Sequence, residues 1–125
     1  MSPTILLVDD SRTSRAVNFA YLFTLLGNNV HCLEAESGEQ ALEILATQAV
    51  DLVLLDLTMP GMSGFDVLAE MRTRNMRTPV VVVSADIQAK TRERVAALGA
   101  VGFIQKPLRL DLLDQMLTQM GFVHE

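Results

Sequence analysis

Two adjacent acids, Asp9 and Asp10, follow the short apolar run Ile5-Leu6-Leu7-Val8, and a third, Asp56, follows a second such run, Leu52 to Leu55. A parallel strand buried on both faces reads as a continuous aliphatic run, and in open α/β sheets ligands collect at the carboxyl ends of such strands. Three carboxylates are therefore expected to converge on one sheet edge. Two of them about 4 Å apart repel by roughly 4 kcal/mol at an effective dielectric near 20, so holding them together calls for a cation. All-oxygen ligands of this kind suit a hard divalent ion, Mg²⁺ first among them. Ser84 and Lys106 end two further apolar runs, which brings five polar groups to the same edge.

The elements that must position these groups follow from the hydrophobic period. After the first run, Ser11 to Leu26 reads as an amphipathic helix whose Phe19, Leu22, Phe23 and Leu26 keep the i, i+3, i+4, i+7 spacing, with Gly27 as a left-handed stop. Val30 to Ala35 reads as a second strand, and Ser37 with Gln40 as a capping box before a helix carrying Ala41, Leu42, Ile44 and Leu45. The third strand, Leu52–Leu55, leads into the breaker-rich loop Thr58 to Gly64 and a helix over about Phe65–Arg72. A β-branched strand, Val80–Val83, a helix over about Ile87–Leu98, a strand at Val101–Ile104 and a last helix over about Leu108–Met120 complete the chain. Five strands alternating with five helices predict an α/β fold. Its natural closure is a doubly wound, flavodoxin-like parallel sheet. With strand order 2-1-3-4-5, the switch point falls between the two strands that carry the acids. That order is an expectation of the fold class and is not spelled out by the residues.

Length and charge narrow the function classes. At 125 residues the chain is one domain's worth. The lone Cys32 has no internal disulfide partner, in keeping with a reducing compartment. The segment Met1 to Thr4 has no basic region, and the apolar run behind it is too short for a signal peptide or membrane span, so a cytoplasmic location is expected. A net charge of −5 without a basic cluster argues against direct nucleic-acid binding. His31 and His124 lie in no readable metal or phosphotransfer motif and are expected at the surface, while Met59 and Met62 flank the proposed site.

Taken in order, Asp9-Asp10 after strand one, Leu-Leu-Asp56-Leu-Thr-Met-Pro-Gly-Met-Ser-Gly, Val-Val-Val-Ser84-Ala85 and Lys106-Pro107 resemble the receiver domain of two-component response regulators. The resemblance covers the whole chain, so residues 1–125 are read as a single receiver domain. It implies that Asp56 is the phosphoacceptor and that Asp9, Asp10, Asp56 and the backbone carbonyl of Thr58 hold Mg²⁺. It also implies that Ser84 is the hydroxyl that follows the phosphoryl group, Lys106 its cation, and Phe103 the aromatic switch position. The family commonly has the bond before Pro107 in the cis form. Thr58 and Asp86, which flank the pocket, are expected to set how readily water reaches the acyl phosphate. The expected phosphodonor is a histidine kinase or phosphotransfer protein. With no effector domain after Met120, output is expected through another protein or through domains outside this chain.

The sequence also departs from the common pattern. Ser84 keeps the hydroxyl but lacks the methyl of the threonine often found there, and Arg109 stands where a small helix-capping residue is frequent. Rival readings are a Mg²⁺-dependent aspartyl phosphatase, which lacks its second acid two positions after Asp56, and a phosphorylation-independent interaction scaffold, which would have lost acids or the lysine. A flavodoxin-like redox module would need a hydroxyl-rich phosphate loop after strand one.

Finally, Val17, Tyr21 and Leu25 lie beside the stripe on the first helix. In the last helix Leu112, Met116 and Met120 form a second stripe beside Leu110, Leu113 and Leu117. These wide apolar faces are either deeply packed or docking surfaces, for a phosphotransfer bundle or a second protomer on the first helix and for output or dimer contacts on the last.

Overall fold

The computed structural model describes residues 2–86 and 88–122; His124 and Ile87, which the sequence places at the surface and at the start of the fourth helix, lie outside the described residues. In chain order the elements are β1 (Thr4–Val8), α1 (Arg12–Leu26), β2 (His31–Ala35), α2 (Gly38–Thr47), β3 (Leu52–Leu55) and α3 (Gly64–Thr73). They continue with β4 (Val80–Ser84), α4 (Ala89–Ala97), β5 (Gly102–Gln105) and α5 (Leu110–Gln119). All strand pairings are parallel and the order is β2-β1-β3-β4-β5, the doubly wound arrangement expected.

Alternation along each strand divides the aliphatic runs between two cores. Leu6, Val8, Val53, Leu55, Val80 and Val82 face α2, α3 and Val95 of α4, whereas Ile5, Leu7, Leu52, Leu54, Val81, Val83 and Ile104 face α1 and α5. The unbroken apolar runs of β1, β3 and β4 follow from this two-sided burial. Register then fixes the polar ends. Val8 pairs with Leu55, and the Asp56 N–H donates to the Val8 carbonyl at 2.9 Å, so Asp9 and Asp56 leave adjacent strands at the same level.

Several sequence expectations change. The inward face of α1 is Arg15, Asn18, Leu22, Leu25 and Leu26; Phe19 and Phe23 are 44% and 47% exposed and stack on each other with ring centroids 6.1 Å apart. Ranking by hydrophobicity pulled the stripe toward the phenylalanines, because it could not credit an arginine and an asparagine with core positions. Leu25 therefore belongs to the core, not to a spare face, while Val17 is exposed and Tyr21 half-buried. Next, β5 starts one residue later than expected, leaving Val101 exposed. Last, α5 starts at Leu110, with Leu108 buried in the turn before it. Leu113 and Leu117 are its buried stripe, and Leu112, Met116 and Met120 pack half-buried against the same core.

Helix starts follow local chemistry. Ser63 and Asp66 form a full capping box at α3: the Asp66 N–H donates to Ser63 Oγ and the Ser63 N–H to the Asp66 carboxylate. At α2 the Gln40 N–H donates to Ser37 Oγ, but the Gln40 side chain accepts from the Glu36 N–H, one residue earlier than a box requires. At α5 Arg109 offers no side-chain cap and instead pairs with Asp111. Helix α4 is lightly held, burying only Thr91 and Val95. Arg94 lies 3.9 Å over the Phe65 ring and Arg92 lies 4.7 Å over Phe103, and Arg72 donates to the Ala97 carbonyl.

Candidate functional site

The C-terminal ends of β1, β3 and β5 bring Asp9, Asp10, Asp56 and Lys106 into one cluster. Carboxylate oxygens of the three acids all lie within 4.8 Å of one another. Lys106 Nζ donates to Asp9 Oδ2 at 3.0 Å and lies 3.4 Å from Asp56 Oδ1. The Lys106–Pro107 peptide is cis, and the Lys106 N–H donates to the Ser84 carbonyl at 2.8 Å, tying the turn that carries the ammonium to the end of β4.

Asp9 is held at each of its polar atoms. Its N–H extends the β1–β2 ladder to the Ala35 carbonyl, and its own carbonyl accepts from Arg15 Nη1 at 2.7 Å. Oδ1 accepts from the Ser11 N–H at 2.9 Å, and Oδ2 takes the lysine. Asp10, by contrast, is exposed. Asp56 is buried, and its carboxyl is pushed up from the ordinary value chiefly by that burial, with the Asp9 charge adding to it. The Lys106 ammonium and the Thr58 N–H, which donates to this carboxylate, work the other way. For Lys106 burial favours the neutral form, but the hydrogen bond to Asp9 and the charges of both acids outweigh it and hold the ammonium above its usual range. The donor set is therefore hard oxygen throughout, strongly anionic, and only partly neutralised by one lysine. That chemistry fits a divalent ion of the Mg²⁺ kind and offers nothing to a soft metal.

The loop between β3 and α3 is set by a close approach. A Cβ at Gly64 would fall 2.4 Å from the Asp56 carbonyl oxygen and 2.7 Å from Leu57 Cα, and the Gly64 N–H donates to the Leu57 carbonyl at 3.0 Å. Only glycine lets α3 begin this near to the acid. Thr58 is exposed on that loop, Met59 is buried beneath it and Met62 is half-buried.

Ser84 ends β4, and its side chain is buried, accepting from the Asp86 N–H at 3.1 Å. Asp86 then clasps the start of α4: Oδ1 accepts from the Gln88 N–H, and Oδ2 from the buried Thr91 hydroxyl at 2.6 Å. These bonds lower its carboxyl, the Thr91 hydroxyl foremost. Phe103 stands on β5 three residues before Lys106, outside the acid cluster, packed half-buried on the α4 side of the sheet.

Arg15, Glu34, Gly64 and Thr91 were not singled out from the sequence. Arg15 could have been found from its spacing, since Arg15, Asn18, Leu22 and Leu25 keep one helical face. The Ser63–Asp66 box was readable from the interval of three. The Gly64 approach and the Thr91 bond are tertiary and leave no local signal.

Residues 5–118 match the model of the response regulator receiver domain family. Among curated proteins, the autoinducer 1 sensor kinase/phosphatase LuxN of Vibrio harveyi is 35% identical over 116 residues, covering 93% of this chain and 13% of that protein. Regulatory protein AtoC of Escherichia coli (strain K12) is 37% identical over 115 residues, 92% of this chain and 24% of that protein. The chain thus spans a small part of the length of these curated relatives. Among solved structures, a response regulator receiver protein from Pseudomonas putida superposes with a TM-score of 0.85 at 28% identity, covering 95% of this chain and 98% of that one.

Proposed function

The chain belongs to the response regulator receiver family, and from that premise we propose that it is a phosphorylation-dependent signalling switch whose acceptor is Asp56. Receiver domains are phosphoacceptors of two-component systems that bind Mg²⁺ at an acidic pocket and take phosphate from histidine kinases. The observation that favours Asp56 is the contrast among the acids. All of Asp9's polar atoms are engaged and Asp10 is exposed, whereas Asp56 is buried beside Asp9 and Lys106 and makes the longer of the two contacts to that lysine.

In this reading an Asp56 carboxylate oxygen attacks phosphorus in line. As the O–P bond forms, the N–P bond of a phosphohistidine donor breaks, and its electron pair returns to the imidazole. Phosphoryl transfer of this kind depends on positioning and charge neutralisation. When bound, Mg²⁺ supplies much of that neutralisation, held by Asp9, Asp10, Asp56 and the Thr58 carbonyl. Lys106 exchanges its Asp56 contact for a phosphoryl oxygen. Ser84 keeps its proton for another, because its present bond uses the oxygen only as an acceptor. Hydrolysis by water returns inorganic phosphate and the Asp56 carboxylate, at a rate that Thr58 and Asp86 tune by flanking the entry. Movement of Ser84 pulls on Asp86, and Phe103 responds beside it, so the α4–β5–α5 surface carries the output to a partner or attached effector.

The phosphodonor is a histidine kinase or phosphotransfer protein in the cytoplasm. It covers the outer face of α1, where Phe19 and Phe23 are exposed. Among the described residues no helix is long and apolar enough to cross a membrane.

The test is to label with a small phosphodonor and Mg²⁺ and read the product by intact mass. Asp56→Asn is expected to lose labelling with its fold unchanged, and excess chelator to stop labelling of the wild type. Stoichiometric acyl phosphate on Asp56→Asn overturns the assignment.

A further inference from the structure

Arg15 is the one strongly basic side chain taken inside the core of the described residues, and it is committed in two directions. Its side chain is only 10% exposed, Nη1 donates to the Asp9 carbonyl at 2.7 Å, and Nε donates to Glu34 Oε1 at 2.8 Å. Burying a guanidinium in the first turns of α1 is costly unless each donor is matched. The carbonyl that it matches belongs to the peptide that joins the first two acids of the cluster. A peptide is planar, so fixing the Asp9 carbonyl also fixes the Asp10 N–H and the direction in which the chain enters the Asp10 Cα. Asp9 has three further bonds of its own, but Asp10 is exposed, and no side-chain hydrogen bond places it.

We infer that Arg15 is a positioning residue for Mg²⁺ binding: braced by Glu34 on the edge strand β2, it sets the Asp9–Asp10 peptide plane so that the Asp10 carboxylate meets the ion. The inference rests on the metal-binding reading given above, and it deepens it by naming a residue that touches neither metal nor phosphate. A planar fork suits this task because it reaches a carbonyl and a carboxylate at once from a fixed geometry, which a lysine point charge does not. Partners that orient metal ligands in this way commonly govern affinity by 10–100-fold.

The sign of the effect separates positioning from simple charge. Removing a cation near a cation site should tighten Mg²⁺ binding if charge alone matters; removing a brace should weaken it. Mg²⁺ titrations followed by two-dimensional amide NMR on the full chain report affinity and fold together. Arg15→Met is expected to weaken Mg²⁺ roughly 10-fold or more, with shifts away from the β1–α1 turn unchanged. Arg12→Met, which removes an exposed charge from the same helix turn, is expected to leave affinity unchanged or slightly tighter. Arg15→Lys is expected to recover only part of the loss. Equal or tighter binding by Arg15→Met overturns the inference. If Arg15→Met does not fold, Glu34→Gln decides: a loss of about threefold or more at unchanged thermal stability supports the brace, and no loss overturns it. A wild-type chain whose Asp9, Asp10 and Asp56 amides ignore Mg²⁺ refutes the metal site itself, which is a different failure.

Discussion

Removing the Lys106 charge while keeping its stem, as in Lys106→Met, should destabilise the metal-free protein. The ammonium lies 3.0 Å from one carboxylate and 3.4 Å from another, and the two acids are nearly buried whereas the lysine side chain is 26% exposed. Each contact is worth about 5 kcal/mol at an effective dielectric of 20, but the lysine's own desolvation opposes this. Breaking buried pairs costs about 3–5 kcal/mol, and partial exposure of the lysine brings this case just below that range, to about 2–3 kcal/mol. In a chain of this size that corresponds to a fall in Tm of roughly 10 °C.

The pH dependence carries a sign. The ammonium is held above its usual range, so its contribution is complete below the ordinary lysine value and is lost only as pH rises through the raised one. Around neutrality the difference between wild type and variant should therefore be flat. In acid it should shrink as Asp56, whose carboxyl is pushed up, takes a proton. Mg²⁺ should rescue the variant more than the wild type, since the ion replaces the missing charge. Urea and thermal unfolding in chelator, in Mg²⁺ and across pH measure all of this. Coincident midpoints for wild type and Lys106→Met at neutral pH without Mg²⁺ would refute the reasoning.

Asp56→Asn should raise Tm in metal-free neutral buffer, because a carboxyl pushed up by burial costs stability once ionised; the gain should vanish in acid below the ordinary carboxylate value, about 4, and a gain that persists there contradicts the electrostatic cause. Gly64→Ala should cost about 3 kcal/mol and slow labelling, since its Cβ meets backbone on both sides, whereas at Gly102 the contact is the flexible end of Met116 and alanine should cost under about 0.5 kcal/mol. Equal unfolding midpoints for the two variants would dispose of the close-approach argument. Leu22→Ala should cost about 3 kcal/mol and Phe23→Ser under about 1 kcal/mol, the reverse of a ranking by ring size. The pair Phe19→Ser with Phe23→Ser should slow transfer from a cognate kinase while leaving small-donor labelling unchanged; unchanged kinase transfer removes α1 from the donor interface.

How far the site was legible depends on whether its determinants were local. Asp9, Asp10 and Asp56 announce themselves because each ends a strand buried on both faces, and the parallel register then places them together. Lys106 follows by the same logic from β5. A hydrophobicity pattern misplaces the phase of α1 because burial there is decided by a hydrogen-bonded arginine, which such a pattern does not contain. The ends of β5 and α5 shifted because Val101 is apolar yet exposed, and Leu108 is buried without being helical. The Gly64 approach and the Asp86–Thr91 clasp join residues through tertiary geometry, so composition and spacing could not yield them.

The slight anchoring of α4 sets the energy scale on which a signal can be passed. With two buried side chains and two arginine–aromatic stacks, each worth about 0.5–1 kcal/mol where exposed, its displacement costs far less than unfolding the sheet behind it. Elements of that kind open as separate low-energy units and lose amide protection early. A ligand shifts a conformational balance only by its differential affinity for the two states, so if phosphorylation acts on α4 as proposed, a few hydrogen bonds to a phosphoryl group are on the scale needed to move that helix and far too few to disturb β1 or β3. In the proposed reading, the helix that carries the message is thus the part of the molecule whose rearrangement a single covalent group can drive.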